Sequence, residues 1–426
     1  MATFILAPVY SKLDAPRWSF LQSSPFLTYG ATAFSDRLHI PANPIDINSM
    51  IINNPSRGFG PFKGGRERAI MVEVLSRMAS SNHEEVVFVQ DDSANLRGII
   101  GIHSTVLGPA LGGLRVWNYT NEHDAIEDVL RLSEGMTYKA AAANLKLGGG
   151  KAVIIADPHK DKSPEMFRSL GRFVQRLNGR YITAEDVGSS VEDMKYLRQT
   201  TEYVTGTDTQ DGGSGDPSPT TANGVLESIQ ACVEEVMGID SLRGVRISVQ
   251  GVGHVGYRLC RLLHEAGAEL VITDVYAPNI DRAEKDFDAR VVSPNEIYEQ
   301  DVDVFAPCAL GAIINDATLP LLKCRIVAGS ANNQLMDIEK HGRELHDRGI
   351  LYAPDFVANA GGLINIYYRD ILGKPCSEEA WSPTGIYENM KKVISISRSE
   401  EIPTFEAANR LALSRIEEAR HLKETV

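Results

Sequence analysis

The most constraining feature of this sequence is a glycine-rich turn between a predicted strand and a predicted helix. The strand Val245–Gln250 runs directly into Gly251-Val-Gly-His-Val-Gly256, and a segment with helical apolar spacing follows. In such a turn the first glycine allows the bend, the second lets the backbone approach a pyrophosphate, and the third lets the helix pack on the strand. The helix N-terminus offers free N–H groups to phosphates. The pattern predicts a dinucleotide site formed by Gly251, Gly253, His254, Val255 and Gly256.

An acidic residue completes this pattern at the end of the next predicted strand. Asp274 ends the strand Glu269–Asp274, close to the spacing expected for a ribose-binding acid. Its carboxylate would accept hydrogen bonds from ribose hydroxyls and repel a 2′-phosphate. Because no arginine follows within the next few residues, the sequence favours NAD over NADP. A simpler interpretation, in which Asp274 only caps a strand end, stays open.

Helices and strands alternate on both sides of a linker rich in glycine and proline, between Thr205 and Pro219. After the linker, this alternation implies a parallel sheet with helices on both faces. The helices predicted there lie near Thr221–Val236 and Val255–Glu265, and the further strands are Val302–Phe305 and Arg325–Ala328. The elements predicted before the linker are the strands Val86–Gln90, Arg97–His103, Ala152–Ala156 and one at Tyr181, and helices over Thr120–Arg131 and from Ser163-Pro164 to Leu177. The fold class predicted is α/β.

Composition excludes several classes of protein. The chain has 426 residues, 43% of them hydrophobic, yet no apolar run approaches the roughly 20 residues that cross a bilayer. A net charge of -13 argues against a nucleic-acid surface. The five cysteines are scattered, which predicts reduced thiols in a cytoplasmic protein. The histidines form no HExxH motif and no zinc-finger cluster with cysteine, so no metal site is predicted.

Two lysines in one glycine-rich region are candidates for chemistry. Lys151 follows three glycines and opens an apolar strand, where a lysine is costly unless it is paired or neutralised. Burial and a second ammonium at Lys139 would both lower its pKa, so it could act as a base near neutral pH. A Walker A phosphate loop is excluded because alanine follows Lys151. The alternative, a solvated surface lysine, is not excluded by the pattern.

A pair of acids follows a short predicted strand at Tyr181-Ile-Thr-Ala-Glu185-Asp186. One of the two is expected to be solvated or structural. Asp186 is favoured as the functional member because Val187-Gly188 would bring backbone close to it.

At this point the motifs resemble those of the amino-acid dehydrogenase family of glutamate, leucine, phenylalanine and valine dehydrogenases, and most of all its leucine enzymes. The resemblance covers the chain from about Met71 to the C-terminus. In the first half it rests on Leu107-Gly-Pro-Ala-Leu-Gly-Gly-Leu-Arg115, Gly135-Met-Thr-Tyr-Lys139, Leu147-Gly-Gly-Gly-Lys151 and Ile182-Thr-Ala-Glu-Asp186-Val-Gly188. In the second half it rests on Pro217-Ser-Pro-Thr-Thr221, Ala306-Pro-Cys-Ala-Leu-Gly311, Gly329-Ser-Ala-Asn-Asn333-Gln and Asn359-Ala-Gly-Gly362.

The resemblance implies a role for each matching residue. Lys139 would bind the substrate carboxylate with the backbone at Gly113, Lys151 would be the general base that activates water, and Asp186 would handle protons at the amino group. Asn359 would lie close to the substrate. The residues implied around the substrate side chain are Leu111, Ala184, Leu363 and Ile366. Those implied at the nicotinamide and its ribose are Thr221, Asn332 and Asn333, with Cys308 and Ala309 also in the cofactor site.

Family membership also implies an architecture and an assembly. It implies an α/β substrate domain over 71–205, joined by C-terminal helices in 376–426, and a Rossmann-type NAD-binding domain over 206–375, with a cleft between them. Family members form homo-oligomers. Two features depart from the family: Asn223 stands where leucine enzymes usually carry tyrosine, and the Ile-Tyr-Tyr-Arg-Asp segment after Asn365 is bulkier than usual.

The expected reaction is reversible, NAD-dependent oxidative deamination of an apolar L-amino acid to its 2-oxo acid and ammonia. Ala184 is typical of leucine enzymes, whereas Leu363 is more typical of aromatic-specific relatives. Leucine, isoleucine and valine are therefore the first choice, and a phenylalanine- or tryptophan-type enzyme is the alternative. From another class, a non-catalytic NAD-binding regulatory protein is the competing hypothesis, against which the two lysines and Asp186 argue.

The first 70 residues differ from the remainder of the chain. They are rich in proline, basic where the remainder is acidic, and without helical or strand periodicity, which predicts a poorly structured extension. Either a leader segment or a start at Met71 would account for it, since Met71 opens an amphipathic segment that reaches Met78. We expect a chain that begins at Met71 to fold and to keep its activity.

Overall fold

The computed structural model describes residues 74–207, 213–374 and 385–424. The extension predicted over residues 1–70 lies outside these ranges, as does the start of the helix expected from Met71. The described part of that helix, α1, covers residues 74–81.

A mixed five-stranded sheet organises the first half of the described chain. Its strands lie in the order β1-β2-β4-β3-β5. β2 is antiparallel to β1 and β4, whereas β3, β4 and β5 run parallel to one another. The elements are β1 (Glu85–Asp91), β2 (Leu96–Ser104), β3 (Ala110–Trp117), α2 (Glu122–Ala142), β4 (Gly148–Ile155), α3 (Pro164–Arg176), β5 (Tyr181–Glu185) and α4 (Val191–Arg198).

The helix predicted from Ser163-Pro164 illustrates how local sequence fixes an element. The Ser163 side chain accepts a hydrogen bond from the Met166 N–H, and Pro164 occupies the first turn, so the helix starts where it was predicted. Asn178 and Gly179 adopt positive φ values of 49° and 82°, which ends it. Phe167 and Leu170 are buried in the core that the helix forms with the sheet.

The second half forms the doubly wound parallel sheet that the alternation predicted. Its order is β11-β10-β9-β6-β7-β8, all parallel, which is the Rossmann order when strands are counted from β6. Hydrophobic clusters cover both faces, with Val304 in one and Phe305 in the other. The elements are α5 (Ser218–Met237), β6 (Arg246–Gln250), α6 (His254–Glu265), β7 (Glu269–Thr273), α7 (Ala277–Phe287), β8 (Arg290–Val291), β9 (Val304–Pro307), β10 (Ile326–Val327), α8 (Ile338–Asp347) and β11 (Leu351–Tyr352).

Helices at the end of the chain connect the two sheets. α11 packs on α5, and α12 packs on α2 and α11. Arg415 on α12 donates hydrogen bonds to the carbonyls of Ala141 and Ala142 at 2.8 and 2.6 Å, at the end of α2. The helices are α9 (Asp355–Ala358), α10 (Gly361–Ile366), which continues into a π-helical turn (Tyr367–Ile371), α11 (Ile386–Glu400) and α12 (Thr404–Glu424). None of the helices within the three described ranges is long and apolar enough to cross a membrane.

Two predicted boundaries around the lysines are wrong. The helix predicted over Thr120–Arg131 continues to Ala142, so Lys139 lies on α2. The strand predicted from Ala152 begins at Gly148, so Lys151 lies within β4 rather than at its start. The three glycines are buried strand residues, and α2 packs closely on the middle one: a Cβ at Gly149 would lie 2.1 Å from the Thr137 nitrogen. A residue with any side chain could not hold that position.

This packing can be tested with two glycines of opposite surroundings. We expect Gly149→Ala to destabilise the protein by about 1–3 kcal/mol or more, because β4 and α2 would have to separate. Gly135 lies on α2, and a Cβ there would meet no described atom within 4 Å. Gly135→Ala is therefore the matched control, expected to stabilise by up to about 1 kcal/mol through helix propensity. Thermal unfolding at equal protein concentration measures both, and equal stability of the two variants would contradict the packing.

Candidate active site

Lys151 is a buried lysine paired with a carboxylate. Only 5% of the surface of Lys151 is exposed, and its Nζ lies 2.8 Å from Oδ2 of Asp186. Burial lowers the pKa of Lys151 by more than the carboxylate of Asp186 raises it. The sequence interpretation of a solvated surface lysine is therefore wrong. A lysine with a lowered pKa can supply an unprotonated amine at a lower pH than a surface lysine.

Asp186 follows β5 and is the member of the acid pair that contacts Lys151. Burial opposes its ionisation, but the ammonium of Lys151 and the guanidinium of Arg115 outweigh burial and lower the pKa of the carboxyl. The Asp186 N–H donates to Ser189 Oγ at 2.9 Å, which in turn donates to the Leu114 carbonyl at 2.7 Å. This fixes the turn after β5 to the neighbouring strand. Asp186 is held as a carboxylate beside the lysine.

Position 113 requires glycine because the turn at Asp186 lies close to the backbone of β3. A Cβ at Gly113 would lie 2.7 Å from the Cβ of Asp186 and 2.8 Å from the Glu185 carbonyl. In the register, Gly113 pairs with Ala184, while Leu114 pairs with Ala152, the residue after Lys151. Gly113 therefore lies between Lys151 and Ala184, and the space that a side chain would need is taken by Asp186 and Glu185.

Sequence reasoning missed the charged residues behind Asp186. Arg115 donates to Asp186 at 3.1 Å and to Asp128 at 2.8 Å, and it thus bridges the two carboxylates. Asp128 on α2 is buried and also accepts from Tyr119 at 2.6 Å and Arg131 at 2.5 Å. For Arg115 the sequence offered one indication, because this residue ends the motif that begins at Leu107. Asp128 gave none, because it resembles an ordinary acid on a helix.

Lys139 occupies the other side of the site. Burial lowers its pKa to about 8; the charge of Asp355 raises it and that of Lys151 lowers it further. Its Nζ donates to Oδ1 of Asn359 at 2.6 Å. Because that partner is a neutral amide, the positive charge of Lys139 can attract an anion. This hydrogen bond also connects α2, in the first half of the chain, to Asn359, the residue that follows α9.

A network of amides connects Lys139 to the residues after β10. Nδ2 of Asn359 donates to Oδ1 of Asn332 at 2.7 Å and to the Ser330 carbonyl at 3.1 Å. The N–H of Asn333, a residue with a φ of 50°, donates to the buried carboxylate of Asp355. Sequence reasoning named the three asparagines but missed Asp355. Burial raises the pKa of Asp355, with its backbone hydrogen bonds and Lys139 opposing the rise.

The four residues expected around a substrate side chain lie near these polar groups. Leu111, Leu363 and Ile366 belong to one apolar cluster between β3 and α10. Ala184 and Ile366 also line a cleft of about 640 Å³ that contains Asp186 and, on the side of the second sheet, His254. The cleft therefore combines an apolar wall, an ion pair and the start of the glycine turn.

The glycine turn has the geometry expected of a phosphate-binding loop. Gly251 has a φ of 91°, and a Cβ there would lie 2.6 Å from that of Ala309. A Cβ at Gly256 would lie 1.9 Å from the Gly251 carbonyl, whereas one at Gly253 would point into open space, free of described atoms within 4 Å. In the described chain no side chain caps the N-terminus of α6. The turn can therefore accept an anion at Gly253, and these residues fit a dinucleotide.

The remaining predicted cofactor residues lie at the same edge of the sheet. Asp274 follows β7, and its Oδ2 accepts from the Val252 N–H of the glycine turn at 2.8 Å. Cys308 follows β9, with its N–H donating to the Gln250 carbonyl at 2.7 Å. Thr221 lies in the first turns of α5 and donates to the Pro217 carbonyl at 2.9 Å. Val255 on α6 packs beneath the turn against the core of the second sheet. Asp274 thus supports the turn as well as ending a strand.

Comparison with known proteins agrees with this arrangement. Residues 82–203 match the profile of the Glu/Leu/Phe/Val dehydrogenase dimerisation domain, and residues 212–281 and 277–423 match that of Glutamate/Leucine/Phenylalanine/Valine dehydrogenase. Leucine dehydrogenase of Bacillus subtilis is 53% identical over 82% of this chain and 95% of its own length. Phenylalanine dehydrogenase of Lysinibacillus sphaericus is 46% identical over 81% of this chain and 91% of its own.

A solved structure shares the fold as well. The crystal structure of L-tryptophan dehydrogenase from Nostoc punctiforme superimposes with a TM-score of 0.74 and is 43% identical, over 82% of this chain and 99% of that one. The buried lysines, the ion pair, the glycine turn and these matches agree with one another along the described chain. The protein is a member of the Glu/Leu/Phe/Val dehydrogenase family, an NAD(P)-dependent amino-acid dehydrogenase.

Proposed function

We propose that the enzyme catalyses NAD-dependent, reversible oxidative deamination of an apolar L-amino acid, with leucine, isoleucine and valine preferred. The observation that carries the proposal is the Lys151–Asp186 pair, 2.8 Å apart at the wall of a cleft that is apolar at Ile366 and faces the glycine turn at His254. In such a cleft the charged groups act on the polar end of a substrate, while the apolar wall contacts its side chain.

Binding is the first task of these residues. The ammonium of Lys139 attracts the substrate carboxylate, since its partner Asn359 is neutral. The backbone at Gly113 is proposed to assist, as the family resemblance implies. The side chain of the amino acid then lies toward Leu111, Ala184, Leu363 and Ile366. Fixing both ends of the substrate places Cα in one position relative to the cofactor.

Proton transfers are the second task. A nicotinamide cofactor held by the glycine turn at Gly251, Gly253 and Gly256 would supply the hydride acceptor for oxidation of the amino acid at Cα to an imine. Lys151 in its neutral form removes a proton from water, and the resulting hydroxide attacks the imine carbon. Asp186 carries protons to and from the nitrogen, which leaves as ammonia. The amino acid, water and oxidised cofactor thus become 2-oxo acid, ammonium, reduced cofactor and one proton. Arg115 orients Asp186 and favours the ionised form of its carboxyl between these proton transfers.

Cofactor choice and substrate size are the finer parts of the proposal. The carboxylate of Asp274 at the glycine turn favours NAD, because it accepts from ribose hydroxyls and repels a 2′-phosphate. The relatives include enzymes for leucine and for aromatic amino acids, and the leucine enzymes are the more similar. A phenylalanine- or tryptophan-type enzyme is the second candidate, favoured by Leu363 alone. The charged cluster of Lys139, Lys151 and Asp186 is unnecessary for a non-catalytic NAD-binding protein.

Assembly, domains and location complete the proposal. We infer a homo-oligomer, supported by the match of residues 82–203 to a profile named for dimerisation. The proposed substrate domain is 71–205 with the C-terminal helices of 376–426, and the proposed cofactor domain is 206–375. α12 supports this division by packing on α2, although α11 packs on α5. A cytoplasmic location and no nucleic-acid partner are proposed from the scattered cysteines and the charge of -13.

One experiment tests the function directly. The protein is mixed with NAD or NADP and with L-leucine, L-isoleucine, L-valine, L-phenylalanine or L-tryptophan, and the absorbance of the reduced cofactor is followed. Reduction with NAD and the branched-chain amino acids is the expected result. Faster turnover of the aromatic amino acids would favour the second candidate, and no turnover of any would refute the proposal.

Removal of the proposed base is expected to abolish turnover. Lys151→Ala should lower kcat by at least about a hundredfold, the contribution typical of a general base. Its affinity for NADH, measured by fluorescence titration, should stay within about twofold because the glycine turn is untouched. Lys146→Ala, at an exposed lysine of the same region, is the control and should retain wild-type kcat. The base assignment fails if Lys151→Ala keeps more than a few per cent of wild-type kcat.

The lowered pKa of Lys139 predicts how carboxylate binding depends on pH. Its ammonium is lost as the pH rises through about 8, so an anion should bind well below that pH and progressively less above it. The inhibitor 4-methylpentanoate has no amino group, so its Ki reports this lysine. We expect a constant Ki at pH 6–7 and an increase of about tenfold per pH unit well above 8.

A neutral residue at position 139 supplies the control. Lys139→Gln should bind 4-methylpentanoate weakly, with a Ki that does not change with pH between 6 and 10. A wild-type Ki that is equally independent of pH would show that another group binds the carboxylate.

Cofactor preference should follow Asp274. The wild type is expected to use NADP poorly, and Asp274→Ser should narrow the gap because repulsion of the 2′-phosphate is relieved. The measurement is kcat/KM for NAD and NADP at saturating amino acid. Since Asp274 also accepts from the Val252 N–H, Asp274→Asn is the control that keeps this acceptor without the charge. An NAD/NADP ratio unchanged in both variants would place Asp274 away from the ribose.

A further inference from the structure

The bulky segment after Asn365 has a structural role that the chemistry above does not use. α10 is an ordinary α-helix to Ile366, and the next five residues, Tyr367–Ile371, form a π-helical turn. Such turns are rare and occur often at functional sites. This one carries Arg369 and Asp370, both partly buried, toward the connection between the two sheets.

The carboxylate of Asp370 holds that connection at two points. Its Oδ2 accepts from the Gly206 N–H at 2.8 Å and from Ser214 Oγ at 3.2 Å. Gly206 follows α4, and Ser214 comes shortly before α5. Gly206 has a φ of 71°, a conformation that other residues rarely adopt, and its N–H faces the carboxylate. One side chain therefore holds both ends of the connection.

Neighbouring groups reinforce this attachment. The Ser214 carbonyl accepts from Arg369 at 3.3 Å and from Asn365 at 3.4 Å. Arg198 at the end of α4 donates to Thr207 Oγ1 at 3.1 Å, and its positive charge acts on Asp370. We refer to Asp370, Arg369 and their bonds to Gly206 and Ser214 as the clamp. The clamp joins α10 to the connection through charge and hydrogen bonds rather than through apolar packing.

The clamp is costly to bury, which indicates that its position is specific. Oδ1 of Asp370 has no hydrogen-bond partner in the described chain, although it is buried. Burial raises the pKa of Asp370, and the bonds from Gly206 and Ser214 and the charge of Arg198 oppose that rise. A buried carboxylate that is only partly satisfied is unfavourable unless the tertiary structure fixes it there.

The clamp joins two walls of the substrate cleft. Gly206, Thr207, Ser214 and Gly215 line one side of the 640 Å³ cleft, and Ile366 lines another. Ile366 lies four residues before Asp370 on the same continuous helical segment, and it belongs to the apolar cluster with Leu111 and Leu363. The distance between the connection and Ile366 is therefore set through Asp370.

We propose that Asp370, assisted by Arg369, is a specificity-determining positioning residue that limits the size of the amino-acid side chain the cleft accepts. It does so by fixing the connection lined by Gly206 and Ser214 to the helix that carries Ile366. The inference rests on the proposed oxidation of apolar amino acids and names a determinant of size outside the pocket residues themselves. Loosening the clamp widens the cleft without touching Lys139, Lys151 or Asp186.

The first test compares two substrates in two variants. Asp370→Ala removes both acceptor bonds, and the ratio of kcat/KM for L-phenylalanine to that for L-leucine should rise at least about fivefold, mainly through KM. Asp370→Asn keeps an acceptor oxygen and should restore the ratio to within about twofold of wild type. A merely structural role would lower both kcat/KM values together in Asp370→Ala, and an unchanged ratio would overturn the specificity role.

A second test reads the clamp without substrate. Hydrogen exchange of a peptide that contains Gly206 and Ser214 should be faster in Asp370→Ala than in the wild type or Asp370→Asn. Unchanged exchange overturns the clamp, whatever the kinetics. If Asp370→Ala does not fold, Ser214→Ala replaces it, because it removes one of the two hydrogen bonds to Asp370. It should raise the phenylalanine-to-leucine ratio and the exchange rate, each by less than is expected for Asp370→Ala. A wild type that turns over neither substrate refutes the proposed function, while the exchange result still decides the clamp.

Discussion

The close packing of α2 on β4 is the contact on which the site depends. Lys139 lies on the helix and Lys151 on the strand, and Gly149 of β4 lets the helix approach until the charge of Lys151 acts on Lys139. A single methyl group at Gly149 would separate them. The same contact buries both ammonium groups, so the geometry that brings the lysines together also produces their lowered pKa values.

The buried ammonium group of Lys151 is tolerable because it starts a chain of contacts between charges of alternating sign. Asp186 contacts Lys151, Arg115 contacts Asp186, and Asp128 contacts Arg115. Each charge has a partner of opposite sign within hydrogen-bonding distance, as buried ions require. Lys139 is the exception, since its bonded partner is the amide of Asn359 and its attraction to Asp355 acts at longer range. The group with the weakest compensation is therefore the one that is best suited to bind a substrate anion.

How much the sequence could predict depended on the range of the interactions involved. The glycine turn and the Ser163 helix start were predicted well, because their cause lies within a few residues. Lys151 could be singled out since a lysine beside an apolar strand is locally unfavourable. The extent of α2 and the partners Asp128 and Asp355 could not be found, because their signal is contact with residues remote in the chain. The acid pair shows the limit, because Glu185 and Asp186 look alike in the sequence and only the contact with Lys151 distinguishes Asp186.

The cleft lies where the ends of strands from both sheets meet, and this explains how one family can vary its substrates. Asp186 follows β5, while Cys308 and the glycine turn follow β9 and β6 at the carboxyl edge of the second sheet. Lys151, Asp186 and the glycine turn are thus positioned by sheet register, whereas Lys139 is positioned by the packing of α2 on β4. The connection and α10 are held by side chains such as Asp370, which can change individually. Cleft width can therefore diverge while the lysines keep their positions, and the residues that set substrate size need not contact the substrate.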